Sequence, residues 1–297
     1  MKTKNFVLSG ILGIALSGFV LTGCHKSSTT PDTDYAAAQD EANASFASND
    51  SKNVSDAAMQ GSSNKYGPAH TIQSAYSSSC VLSWDSTTIA GNITVTIDFG
   101  SAPVQCKDYR WREGKIQVSW KASSGFFLQA YFDSATAITE TFNGYKVGTT
   151  QTTMYGVAGT RTWTNEGHNV NGFENWNFTA DLTITNPSGK KATWKSTRNN
   201  VLTYVGTTWY YVITGSASGT SSSGVGYSLT ITSPLYVTAY PWWYTPAPGC
   251  PWIEAGVVSI SRDGFSNTLT INFGNVGTCD SQAIATLNGN NYTIYMW

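Results

Sequence analysis

Residues 107–115, KDYRWREGK, set Lys107, Arg110, Arg112 and Lys115 among Tyr109 and Trp111. Cations interleaved with aromatic rings are the mixture that holds phosphates, sugars or single nucleic-acid strands. Asp108 and Glu113 cancel half of that charge, and one hairpin offers a small footprint. The reading is therefore an exposed, self-paired hairpin, with Arg110, Trp111 and Arg112 as candidate ligand contacts and no nucleic-acid partner. A second stretch, YPWWYTPAPGCPW at 240–252, places Trp242, Trp243 and Tyr244 between prolines, where no central strand can run. Flat aromatic faces there suit the C–H faces of sugar rings; the alternative is a proline-braced loop folded over an open end of the core. Four glutamates, Glu140, Glu166, Glu174 and Glu254, contain the carboxylates that a glycosidase pair would need. Spacing across a sheet is not legible in sequence, however, and no G-x-S-x-G, H-E-x-x-H or phosphate loop is present. No catalytic residue is assigned, and the expectation is a protein that is not an enzyme. With three His and no two Cys at ligand spacing, no metal or cofactor is expected.

The elements that must position these residues are strands. Ile93, Val95, Ile97 and Phe99 alternate with Thr94, Thr96 and Asp98, and Trp176, Phe178, Ala180, Leu182 and Ile184 repeat the pattern over ten residues. Similar alternation recurs at 116–120, 227–231, 269–273 and 292–296, with turn signals such as SSG, NPSGK, RDG and NGN between. Period-two alternation marks strands with one buried face, and such strands are normally antiparallel. No helical stretch long enough for a parallel crossover separates them. The fold class is all-β: a large antiparallel meander, either a sandwich or an open, curved, barrel-like sheet, with a short N-terminal helical segment. Charged residues are only 12% of the chain, about half the usual share, and aromatics reach 13%, a palette of exported β proteins. A net charge of −1 offers no field that would recruit nucleic acid.

The first residues read as an address. Lys2 and Lys4, an apolar run from Phe6 to Leu21 and LTGC form a charged start, a short apolar core and a small-residue cut, with residues 1–23 as signal peptide. Cys24 is the lipidation site of a bacterial lipoprotein, so a membrane is the first partner, through a palmitate-type anchor. Residues 24–33 are a flexible tether. Residues 34–79 hold two short helical pieces, about 34–46 and 53–60, and a polar connector; neither piece has a wide apolar stripe, so they lie on the β domain or act as a spacer. The β domain covers 80–297. The lipoprotein signal, four further Cys, and Thr and Ser on strand faces where lipid would demand apolar residues all oppose a transmembrane barrel.

Four cysteines remain after Cys24, an even number in an oxidising compartment. Three connectivities are open; the spacing favours Cys80–Cys106 and Cys250–Cys279. These would flank two copies of one phrase, TVTIDFG…C at 94–106 and TLTINFG…C at 268–279. The copies lie in related hairpins near 80–122 and 250–297, which could close the sheet on itself or protect its edges. Gly100 and Gly274 supply a positive φ at a sharp turn, and Asp98, whose counterpart is Asn272, reads as structural.

LTGC, TVTIDFG, the C-x-D-x-R-x-R-x-G-K-I pattern in CKDYRWREGKI, TRTWTN, YVITGSASGTSSSGVGYSLTITSPL, the C-x-W-I before Gly256 and the final NFG…CD…NGNNYTI resemble a family of outer-membrane lipoproteins of Bacteroidota of uncharacterised function. The resemblance spans nearly all of the mature chain. It implies an envelope address and a β architecture, and no catalytic residues. Surface-exposed members of that class tend to carry acids directly after the lipidated Cys. HKSSTT stands there in this chain, which points to the periplasmic face. The functional expectation is an envelope lipoprotein with a non-catalytic binding or structural β domain, whose partner is an envelope protein or a glycan.

Overall fold

The alternation is realised as fourteen strands: β1 Ser83–Ile89, β2 Asn92–Asp98, β3 Val104–Gln105, β4 Trp111–Lys121, β5 Ala137–Gly148, β6 Met154–His168, β7 Glu174–Thr185, β8 Lys191–Val205, β9 Thr208–Thr220, β10 Gly226–Thr238, β11 Ile253–Arg262, β12 Leu269–Asn272, β13 Gln282–Leu287 and β14 Asn290–Tyr295. These belong to a computed structural model that describes residues 32–60, 80, 83–124, 130, 133–239 and 250–297. Each strand pairs antiparallel with the next, save that the short β3 pairs only with β4 and leaves β2 beside β4. The result is the open, curved form of the expected meander: β1 and β14 are its two edges and do not pair with each other.

What curves the sheet is a helix. α1, Ala36–Gln60, is one continuous element where two short pieces were expected. At about 1.5 Å per residue it is roughly 37 Å long. Residues 40–48 are buried in an almost unbroken run, which covers every side of a helix with 3.6 residues per turn. Its side chains bond to Arg112 of β4, Glu140 of β5, Arg198 of β8 and Tyr211 of β9, and the segment just before it, at Asp32 and Asp34, bonds to Arg262 of β11. A single helix meets that many strands only if the sheet wraps around it. The expectation that the helical pieces lie on the β domain or act as a spacer is thereby corrected; the connector expected at 61–79 lies outside the described residues. Residues 32–60 belong to the same compact unit as the strands, and the stretch from Ala37 to Ser55 lies in its interior.

The missing apolar stripe has a physical cause. Side chains of the sheet fill most of the interior, with Trp163, Trp176 and Trp194 all nearly fully buried. The helix facing them is built from small residues, Ala37, Ala38, Ala42, Ala44, Ala47, Ser45, Ser48, Ser51 and Ser55, all buried. Large side chains from one partner and small ones from the other fill the space between them at close packing. Among its described side chains none is exposed, so no amphipathic pattern is needed.

α1 runs antiparallel to β9. Asp40 accepts a hydrogen bond from the Ser222 amide in the turn after β9 (2.6 Å), while Lys52 reaches the hydroxyl of Tyr211 near the start of that strand (3.4 Å). The free edge of β14 is capped by Gln39, whose amide donates to the Tyr295 carbonyl (2.6 Å) and accepts from the Tyr295 amide (3.3 Å), as a neighbouring strand would. Tyr35 stacks on Tyr292 beside it, with ring centres 4.7 Å apart.

Both expected disulfides are formed, Cys80–Cys106 and Cys250–Cys279. The repeated phrase is structural in both copies, and in the same way. The Asp98 carboxylate accepts the Gly100 amide (2.8 Å), and the Asn272 side-chain oxygen accepts the Gly274 amide (2.9 Å). Both glycines have the positive φ expected of them, 88° and 98°. The two hairpin regions meet through side chains and not through a ladder. Arg110 donates to the carbonyl of Trp297 (3.1 Å) and lies 5.8 Å from the Trp252 ring.

Candidate functional site

β4 begins at Trp111, so strand alternation sends Arg110 and Arg112 to one face and Trp111 to the other. That face is the inner one. Arg112 is fully buried, and it donates to Asp50 of α1 (2.8 Å) and, in a fork, to Asp108 (2.9 and 2.6 Å). Arg110 lies over the Phe46 ring of the helix at 4.2 Å. The expected exposed hairpin, with Arg110 and Arg112 as ligand contacts, is therefore corrected: both guanidinium groups are interior. Trp111 is half-buried, and Lys107, Tyr109 and Lys115 are the residues of the stretch that project into solvent.

This pair is one of a series along the helix. Arg198 of β8 donates to Glu41 (2.5 Å) and to Ser45 (3.0 Å), and the Trp194 indole donates to the other Glu41 oxygen (2.7 Å). Arg161 of β6 faces Glu140 of the adjacent β5 at 3.2 Å and bonds to the Ser48 carbonyl and the Ser51 hydroxyl. Lys52 pairs with Asp56 one turn along the helix. Arg262 of β11 holds Asp32 and the Asp34 carbonyl. Burying a lone charge is costly, and the carboxylates of this series are each met by a cation. The environment shifts the titrations accordingly. Burial pushes the Glu140 carboxyl up, with Arg161 opposing, and burial also raises the Tyr145 hydroxyl, which donates to Asp50 (3.4 Å). A hydrogen bond from Arg262 holds Asp32 below the usual carboxylate range, and one from Lys115 does the same for Asp98.

The four glutamates weighed for acid–base chemistry go to separate settings. Glu140 is buried against Arg161. Glu254 is buried and accepts from Tyr210 (3.2 Å), Thr238 and the Gly277 amide (2.8 Å), so it ties the loop after β12 to the sheet. Glu174 is half-buried at the start of β7 opposite His168, and burial raises its carboxyl. Glu166 is exposed in the same hairpin. Trp242, Trp243, Tyr244 and Cys24 lie outside the described residues. Among those described, no group of three His, Cys, Asp or Glu is placed to hold a metal ion.

Sequence reasoning did not find a cleft of about 570 Å³ on the outer face of β5–β7. Its position follows from register. Arg112 and Val147 pair in a row that faces the helix, so the next row, Glu113–Lys146–Gly156–Thr185, faces out. Gly156 leaves that row without a side chain at its third place. The turn after β5 supplies Gln151 and Thr152 to one wall, and the turn after β7 supplies Asn186 and Pro187 to another. Glu113 and Lys146 form an ion pair (2.6 Å) at its margin. The volume falls in the range of small-molecule sites, roughly 300–1,000 Å³. The one signal for it in the sequence is a glycine inside an alternating strand, and turns at residues 149–153 and 186–190 give no hint of converging.

Compared with known proteins, the chain matches no family model, no curated protein and no solved structure.

Proposed function

We propose that this protein is a membrane-anchored lipoprotein of the bacterial outer membrane, periplasm-facing, whose β domain is a rigid, non-catalytic scaffold that binds a glycan or envelope protein on its outer surface. The observation that carries this reading is the filled interior. α1 occupies the space that a barrel-like sheet would otherwise offer to a ligand, and its buried carboxylates are consumed by Arg112 and Arg198. Glu140 is likewise buried against Arg161, and Glu254 is buried with its oxygens taken by Tyr210, Thr238 and the Gly277 amide, so neither is placed to pass a proton to a substrate. Recognition then falls to the outside of the sheet, where strand-borne side chains sit on a stiff frame. Two disulfides suit an oxidising compartment, and the LTGC sequence with its charged start supports lipidation at Cys24. The likeness to Bacteroidota lipoproteins points the same way.

Growing cells that express the full chain with an alkyne fatty acid tests the anchor. The expected result is label on the wild-type protein, membrane sedimentation, and loss of both in Cys24→Ala. An unlabelled mature wild-type protein would overturn the lipoprotein reading.

A further inference from the structure

Glycine inside a strand is unfavourable, and it is kept for one of three reasons: a positive φ, a close approach of another backbone, or space for a ligand. The first two account for the neighbouring glycines. A Cβ on Gly114 would stand 2.2 Å from the Gly144 carbonyl oxygen, one on Gly215 would stand 2.3 Å from that of Thr197, and one on Gly219 would stand 1.9 Å from that of Thr193. Gly156 has neither reason. Its φ lies outside the left-handed region, and the nearest atoms a Cβ there would meet belong to Thr185, at an ordinary 3.5–4.0 Å. Like Gly226 at the start of β10, where an added Cβ would meet only the movable Asp263 side chain, it is a strand glycine that no backbone contact requires, and it floors the 570 Å³ cleft.

We propose that this cleft is a binding site for a neutral oligosaccharide, with Gly156 as the residue that keeps its floor open. The inference names a ligand class for the non-catalytic binding surface proposed above and rests on that reading. The lining chooses the class. Gln151 and Asn186 offer amides, Thr152 and Thr185 offer hydroxyls, and all four both donate and accept. Asn186 spends its side-chain oxygen on the amides of Ser188 and Lys190, which leaves its NH₂ group for a ligand acceptor. The two charges at the margin, Glu113 and Lys146, neutralise each other, so the site presents no net charge to a ligand. Pro103 and Pro187 add apolar edges on which the C–H face of a sugar ring can rest. A peptide is a poorer fit: β5, β6 and β7 are interior strands, so their backbone groups are spent on the ladder and none is left for strand addition.

The test is calorimetric titration of the purified full chain with neutral gluco-, manno-, galacto- and xylo-oligosaccharides, beside uronic-acid and sialylated panels. The expected result is binding of at least one neutral series. Gly156→Leu should weaken that binding at least ten-fold, and Gln151→Ala, whose exposed side chain has no described partner, should weaken it without moving the melting temperature. Gly156→Ala should raise the melting temperature while weakening binding, since the alanine suits the strand and crowds the ligand. Binding of acidic glycans alone, binding that Gly156→Leu leaves intact, or a lowered melting temperature in Gly156→Ala would each overturn the assignment. So would the absence of binding to every neutral series. None of these outcomes touches the anchor, which the fatty-acid label reads separately.

Discussion

Arg112 shows how a residue's chemistry is set by the face it occupies. In sequence it is one cation of a mixed, apparently wet hairpin; in the fold it is fully buried and bridges Asp50 of the helix and Asp108 of its own loop. Removing one partner of such a pair leaves the other as an uncompensated buried charge. Arg112→Ala is therefore expected to cost about 3–5 kcal/mol of folding stability. Adding Asp50→Met to Arg112→Met removes one of the two carboxylates that Arg112 leaves unpaired, so the double variant should lose less than the sum of the two single losses. Urea denaturation of the two single variants and the double variant checks this: simple additivity of the single effects would contradict a direct pair. Asp98 and Asn272 were legible where Arg112 was not. Their role is local, a side-chain oxygen accepting the amide two residues on, and local hydrogen bonds leave local sequence marks.

At the level of the element, the strands were readable and the helix was not. Alternation is a property of a strand with one buried face, and β7 shows it without a break from Trp176 to Ile184. The segment at 36–60 is rich in Ala, Ser and Asn with scattered acids, which reads equally as an exposed helix or a spacer. Its polar residues are buried because arginines from three strands reach in to meet them, and nothing in the segment itself reports those arginines. The two placements predict different responses to bulk. Ala42 is fully buried, so Ala42→Leu should destabilise the protein by about 1–3 kcal/mol. On a surface helix the same change would fall within about 0.5 kcal/mol of neutral. Thermal denaturation followed by near-ultraviolet circular dichroism distinguishes them, since the interior tryptophans report on packing.

For the molecule as a whole, the question is how a sheet with two unpaired edges stays closed around its helix. Gln39 caps one edge, and Arg110 joins the hairpin after β3 to the carbonyl of Trp297. Trp297 in turn stacks on Tyr155 at 4.3 Å and packs edge-on against Phe46. Contacts of this kind are short in reach, and the two disulfides restrain the chain beside them. Each closes a loop of similar length, with separations of 26 and 29 residues, so removal of either bridge by paired Cys→Ser substitution should cost about 3 kcal/mol. Non-reducing peptide mapping should recover Cys80 with Cys106 and Cys250 with Cys279. A Cys80–Cys279 peptide would contradict this arrangement.

The sequence by itself determined the class of the fold, the strand-by-strand alternation and the turn geometry at Gly100 and Gly274, because each depends on residues near one another; for the cysteines its spacing favoured one of three pairings, and the fold selected it. Tertiary structure decided the rest. It placed the helix inside, turned Arg110 and Arg112 away from solvent, and aligned Glu113, Lys146, Gly156 and Thr185 from four strands into one outer row. The physical reason is that burial and cleft formation depend on which strand lies beside which and in what register. Closing of the sheet around α1 fixes both, and no short stretch of the chain encodes it.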